Sequence, residues 1–155
     1  MTRSGKKNPP QRQVSNRPRG WVAVYWIMAI VALAGLTDAT FLTVAHLTGD
    51  DAVCGSLAGC SAVLGSSYAT TLGLPTAAFG AVAYFTVFSA TILVAFGHDW
   101  ARGILIAVIV LMFVASLYFL FLQAFVLHAF CPFCLLSAAL TFFLTGLLLV
   151  IPSRR

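Results

Sequence analysis

The chain has 155 residues, 61% of them hydrophobic and only 8% charged, against roughly 25% charged in a soluble domain. Such a chain cannot solvate its own surface, which excludes an ordinary soluble globule and points to an integral membrane protein. The net charge of +5 does not indicate a nucleic-acid partner, because six of the nine basic residues lie in one N-terminal arm: Arg3, Lys6, Lys7, Arg12, Arg17 and Arg19. Residues 1–20 form that arm, which is polar, rich in Pro, Gly, Ser and Asn, and without hydrophobic periodicity. It reads as a disordered cytoplasmic flank.

A membrane-spanning helix needs about 20 apolar residues. Four stretches between residues 21 and 152 qualify: Trp21–Leu47, Leu74–Phe96, Ile104–Phe130 and Cys131–Ile151. The first is too long for a cleavable signal peptide and reads as a retained span. Asp38 is the one acid inside a predicted span. At about 1.5 Å per residue it lies near the far end of the first helix, either as a solvated interfacial acid or as a proton relay. His46 and His128 sit near the ends of their helices on the same side, where they are either interfacial or proton-shuttling. Trp21, Tyr25, Trp26 and Trp100 are expected to form an interfacial belt at the opposite face.

The connection Thr48–Gly73 is long and carries Cys54, Cys60, Asp50 and Asp51 but no basic residue. Ser61–Tyr68 is expected to form a short amphipathic helix capping the bundle, with Gly55, Gly59, Gly65 and Gly73 supplying turns. In the second span Ala77, Gly80 and Ala81 are expected to pack closely against another helix. The third and fourth spans are nearly continuous. Cys131-Pro132 marks the break, because proline suits a first helical position and disrupts a helix interior.

All nine Lys and Arg residues fall in the arm, at Arg102, or at Arg154 and Arg155. With four spans these places share one side, which the positive-inside rule assigns to the cytoplasm. The four cysteines then share the outer face, where disulfides persist. The expected fold is an all-α membrane protein: a four-transmembrane-helix bundle with an outer loop carrying a short capping helix.

Cys131-Pro132-Phe133-Cys134 starts the fourth helix. Its two thiols stand three residues apart and share a face. A helix N-terminus favours an anion and lowers a thiol pKa, which creates the thiolate that performs disulfide exchange. The aromatic and aliphatic surroundings, Phe125 among them, suit a flat hydrophobic redox ligand such as a quinone. Gln123, polar and about two turns earlier, is placed to hydrogen-bond either a quinone carbonyl or a neighbouring helix. Cys54 and Cys60 can pair with each other, or Cys60 with Cys131; four cysteines allow three connectivities and the sequence does not choose. A plain structural disulfide is the competing reading. The Cys-x5-Cys spacing is poor for zinc, and haem attachment fails because Leu135 follows Cys134 where a histidine is needed.

Cys54-x5-Cys60, Val63, Ser66, Tyr68-Ala69, Gly73-x-Pro75, Gly80 and Tyr84, followed by Phe130-Cys131-Pro132-Phe133-Cys134, resemble the vitamin K epoxide reductase family. The resemblance runs from Trp21 to Ile151. It implies a four-helix bundle around a quinone, of menaquinone or ubiquinone type. It also implies an active-site disulfide Cys131–Cys134 with Cys134 facing the quinone, a shuttle pair Cys54–Cys60, and Ser66 organising the site from the capping helix. By that resemblance the bacterial-type reaction reoxidises a thioredoxin-fold partner that makes disulfides in exported proteins. The chain carries no fused thioredoxin-like domain, so the partner is expected to be separate. Ser137-Ala138-Ala139 stand where vertebrate relatives have Thr-Tyr-Ala, which weighs against the alternative activity, reduction of a vitamin K epoxide or of a quinone in that mode.

Overall fold

The computed structural model describes residues 19–48, 58–71 and 73–151. Most of the basic arm, and Cys54 with its neighbours, therefore lie outside the described residues. Four helices are long and apolar enough to cross a membrane. They are α1 (Arg19–Thr48), α3 (Thr76–Ala95), α4 (Trp100–Phe121, prolonged by a π-helical turn at Leu122–Val126) and α5 (Pro132–Val150). Between α1 and α3 lie a two-turn helix α2 (Ala58–Leu64), a 3₁₀ turn (Ser67–Ala69) and a minimal antiparallel hairpin, β1 (Thr70–Thr71) with β2 (Leu74–Pro75). Gly73 at that hairpin turn takes φ +79°, a conformation that costs glycine little.

The helix ends follow local chemistry. α3 stops at a Schellman motif: Gly97 adopts φ +98°, its N–H bonds the Val94 carbonyl, and the His98 N–H bonds the Leu93 carbonyl. α4 begins at Trp100, four residues before the expected Ile104, and its second residue, Ala101, is already fully buried. It also ends earlier than expected. The π turn shifts the hydrogen-bond register, with Leu127 N–H on the Leu122 carbonyl, and His128 then leaves the helix with φ +49°. The capping helix likewise departs from expectation. It spans Ala58–Leu64, so Cys60 is inside it, and Gly59 is a helical residue with no turn to make.

α1 packs against α3 and α5, and α4 closes the ring by packing against the same two helices. One end of the bundle is filled by Met28, Tyr84, Val87, Leu105, Ile109 and Leu144, all essentially buried. The other end, beneath α2 and the hairpin, is hollow. Lipid-side positions such as Ile30, Val82 and Val114 stay exposed. Threonines in the spans are satisfied within their own helices: Thr37, Thr40, Thr43, Thr86, Thr91 and Thr145 each donate to the carbonyl four residues earlier. Tyr25 does not join the interfacial belt. It is 4% exposed and belongs to the packed core, whereas Trp26 and Trp100 are exposed.

Association of helices in lipid depends on close packing of small residues. Gly80 of α3 meets Ala39 of α1, where an added Cβ would stand 3.7 Å from the alanine methyl. Gly35 is tighter: a Cβ there would overlap the Tyr84 ring. Gly35→Ala is therefore expected to destabilise the bundle by about 1–3 kcal/mol, as overpacking does. It would show as a lowered unfolding temperature in detergent, with Gly80→Ala, which has room, close to wild type.

Candidate active site

The hollow end of the bundle encloses a cavity of about 440 Å³. It exists because the helices face one another there with small side chains, including Ala39, Gly80, Ala83, Ala115 and Ala138, which cannot fill the space between backbones. The walls are overwhelmingly apolar. Polar groups enter at a few points: Ser66 from the cap, His46 from α1, Tyr84 from α3, Gln123 from the π turn, and Cys134, Ser137 and Thr141 from α5.

Pro132 occupies the first position of α5, and Cys131 is its N-cap, with extended φ −91° and ψ 116°. This geometry separates the two thiols. Cys134 lies one turn into the helix and lines the cavity. Cys131 does not line it; it is 0% exposed and packs against Cys60, also 0% exposed, in a small cluster closed by Val63, Leu64, Phe133 and Cys134. α2 reaches that position because Gly59 lies against the Phe130 backbone, where any Cβ would strike the Phe130 carbonyl oxygen. Cap, dithiol and cavity thus form one line: Cys60, Cys131, Cys134, then the apolar space.

Cys60 is disulfide-bonded, whereas Cys131 and Cys134 are free thiols. The inner disulfide implied by the family resemblance is therefore open in this structure. The pairing of Cys60 with Cys131, left open by the spacing, is not adopted.

Cys131 lies just outside the span that begins at Pro132. Its thiol is held down to about 7, first by a hydrogen bond from the Cys134 thiol and also by the backbone N–H groups of Cys134 and Phe133 at the helix start. Burial and the nearby Asp38 oppose this shift. The thiolate of Cys131 is thus substantially populated at neutral pH, as disulfide exchange requires. Removing the chief donor raises the titration. In Cys134→Ala, the thiolate ultraviolet absorbance lost on mutating Cys131 is expected to appear well above pH 7. Cys134→Ser, which keeps a donor, should stay nearer the wild type. An unmoved midpoint in Cys134→Ala would assign the shift to the helix amides alone.

Gln123 is 2% exposed. It lines the cavity, but its Oε1 accepts the Cys131 N–H at 3.2 Å, so it anchors the helix start that carries the dithiol. Its backbone carbonyl also accepts the Ala129 N–H. π-helical turns recur at functional positions, and here the turn aims Gln123 inward at the break between α4 and α5. Ser66 Oγ donates to the Val63 carbonyl at 2.7 Å, ending the capping helix at the cavity's edge. Phe125 is a correction: it is 68% exposed, stacks on Phe121 at 5.0 Å and does not line the cavity, because the π turn swings it outward. His128 is exposed and away from the lining, whereas His46 is part of it.

The polar wall opposite the cap was not evident in the sequence. The Tyr84 hydroxyl donates to the Ser137 carbonyl at 2.8 Å and pairs with Ser137 Oγ and Thr141 Oγ1, each at 3.0 Å. Its signal was a tyrosine and two hydroxyl residues in separate apolar spans, which only packing brings together. Asp38 is also corrected. Its carboxyl is not solvated at an interface: the residue is 9% exposed, and Oδ2 is buried without a hydrogen-bond partner.

The fold and site define a membrane-spanning helical bundle with one thiol of a Cys-x-x-Cys pair on the wall of an apolar cavity. The model of the vitamin K epoxide reductase family matches residues 26–149, and the chain belongs to that family. It is accordingly a multi-pass membrane oxidoreductase of the kind whose reaction involves a quinone or vitamin K.

Proposed function

We propose that the protein is a quinone-dependent thiol oxidase that reoxidises a separate thioredoxin-fold partner on the outer face of the plasma membrane. The partner in turn makes disulfides in exported proteins. The observation that carries this reading is the division of the dithiol: Cys134 on the cavity wall and Cys131 against Cys60 of the cap.

The cavity residues fit a quinone. The walls are apolar enough for a ring and its tail, and the Tyr84, Ser66 and Gln123 side chains lie among them as sparse polar groups for ring oxygens. A bound quinone supplies a two-electron acceptor. Electrons would pass from the partner to the Cys54–Cys60 pair, then to Cys131 and Cys134. The Cys60 thiolate of the reduced outer pair would attack the Cys131–Cys134 disulfide at Cys131, releasing Cys134, which presents its sulfur to the cavity. The side assignment rests on the grouping of all nine basic residues and is part of the proposal.

The test is quinone reduction by the purified protein in detergent, followed by ultraviolet absorbance, with dithiothreitol or a reduced thioredoxin-fold protein as donor. Turnover with both donors is expected. No turnover with either, and no quinone carried through purification, would overturn the reading in favour of a structural role for the cysteines.

A further inference from the structure

The electron route leaves Asp38 unused, although the next residue, Ala39, lines the cavity. It is nine-tenths buried, and its Oδ2 has no hydrogen-bond partner. Placing an acid there is costly in a lipid-embedded bundle. Asp38 stands one turn beyond Gly35, the residue on which the Tyr84 ring rests, so both share the face of α1 turned to the neighbouring helices. Tyr84, Cys131 and Cys134 lie within electrostatic reach of its carboxyl.

The elements packed against α1 are α3, α5 and β2. They contribute Tyr84, Cys134 and the hydroxyls of Ser137 and Thr141, with Cys131 at the head of α5, and none of them carries a basic residue. On α1 itself, His46 lies two turns further on, at the cavity. Asp38 therefore has no counter-charge on the elements that pack against it. It has an open lone pair within electrostatic reach of two thiols that must lose protons.

We propose that Asp38 is the proton-holding residue of this site, acting on the cavity through the Tyr84 hydroxyl. The inference rests on the quinone-linked reading and deepens it. Closing the Cys131–Cys134 bond breaks two S–H bonds and releases two electrons and two protons. The quinone takes both electrons and two protons at its oxygens. The Cys134 proton goes to Asp38 Oδ2 and then along the hydroxyls of Tyr84, Ser137 and Thr141, which line the cavity. The Cys131 proton is lost to the solvent when its thiolate forms, and the second quinone oxygen takes an equivalent proton from the solvent.

The experiment compares full-length wild type, Asp38→Asn and Asp38→Glu in detergent, with a short-chain ubiquinone as acceptor and dithiothreitol as donor. Asp38→Asn is expected to lower kcat by on the order of 10²-fold, the scale of a positioned proton carrier. It should leave the KM for quinone within about twofold and remove one ionisation from the pH–rate profile; Asp38→Glu should restore most of the rate and that ionisation. A second readout uses no quinone. Infrared difference spectra between thiol and diamide-oxidised protein should show a carboxyl C=O band in wild type that shifts in Asp38→Glu and is lost in Asp38→Asn. An Asp38→Asn enzyme with wild-type kcat and pH profile, or a wild type with no carboxyl band, overturns the proposal. Failure of the wild type to reduce quinone at all would instead remove the oxidase reading, and the infrared band would still decide the role of Asp38.

Discussion

Cys134→Ala is expected to abolish quinone reduction with every donor, by on the order of 10⁴-fold or more, the scale on which essential nucleophiles fail. The reason is positional. Cys134 is the sulfur on the cavity wall, while Cys131 is enclosed against the cap. Without Cys134 the inner disulfide cannot form, so a small dithiol that reaches Cys131 meets no disulfide to reduce, and no sulfur faces the acceptor. Cys131→Ala should fail equally, since the inner disulfide that a donor thiolate would attack can no longer form. The assay is quinone absorbance loss, with the fold of each variant checked by its unfolding temperature. Substantial turnover in Cys134→Ala would mean that electrons leave the protein by another route.

Variants at the cap should behave differently. Cys60→Ala is expected to stop turnover with a thioredoxin-fold donor while sparing turnover with dithiothreitol, because on the proposed route Cys60 only delivers electrons to Cys131. Gly59→Ala tests the same link without touching a sulfur. The added methyl would strike the Phe130 carbonyl and lift α2 from the start of α5, parting Cys60 from Cys131. A misplacement of about 1 Å costs on the order of 10²-fold in a reaction that depends on alignment, so the protein-donor rate should fall on that scale. The dithiothreitol rate should change far less. Equal loss with both donors in Cys60→Ala and Gly59→Ala would sink the division of labour between the two pairs.

The four spans were legible because lipid demands long apolar runs, and no other pattern in this chain imitates them. Their ends were less so. The third span overran by four residues, since Leu127–Phe130 are as apolar as a helix interior and neither the π turn nor the positive φ of His128 is written in composition. The capping helix was placed three residues late because a seven-residue helix leaves little periodicity to read. Cys131 and Cys134 could be found from their spacing and the proline between them. Phe125 was misassigned for a related reason: nearness in sequence to the dithiol says nothing about direction once a π turn intervenes.

The sequence by itself determined the membrane character, the number of spans and the break at Cys131-Pro132, and it offered the dithiol as the candidate reactive element. These depend on local quantities: hydropathy over a helix length, the conformational demands of proline, and thiol chemistry at a helix start. Only the tertiary structure decided which thiol faces the cavity, that Gly59 seats Cys60 on Cys131, that Gln123 holds the Cys131 amide, and that Asp38 is enclosed beside Tyr84. Each of these depends on contacts between residues on different segments. Tyr84 and Thr141 are 57 positions apart yet share a hydrogen bond. Such pairings follow from how small residues let helices approach, and that approach is a property of the assembled bundle.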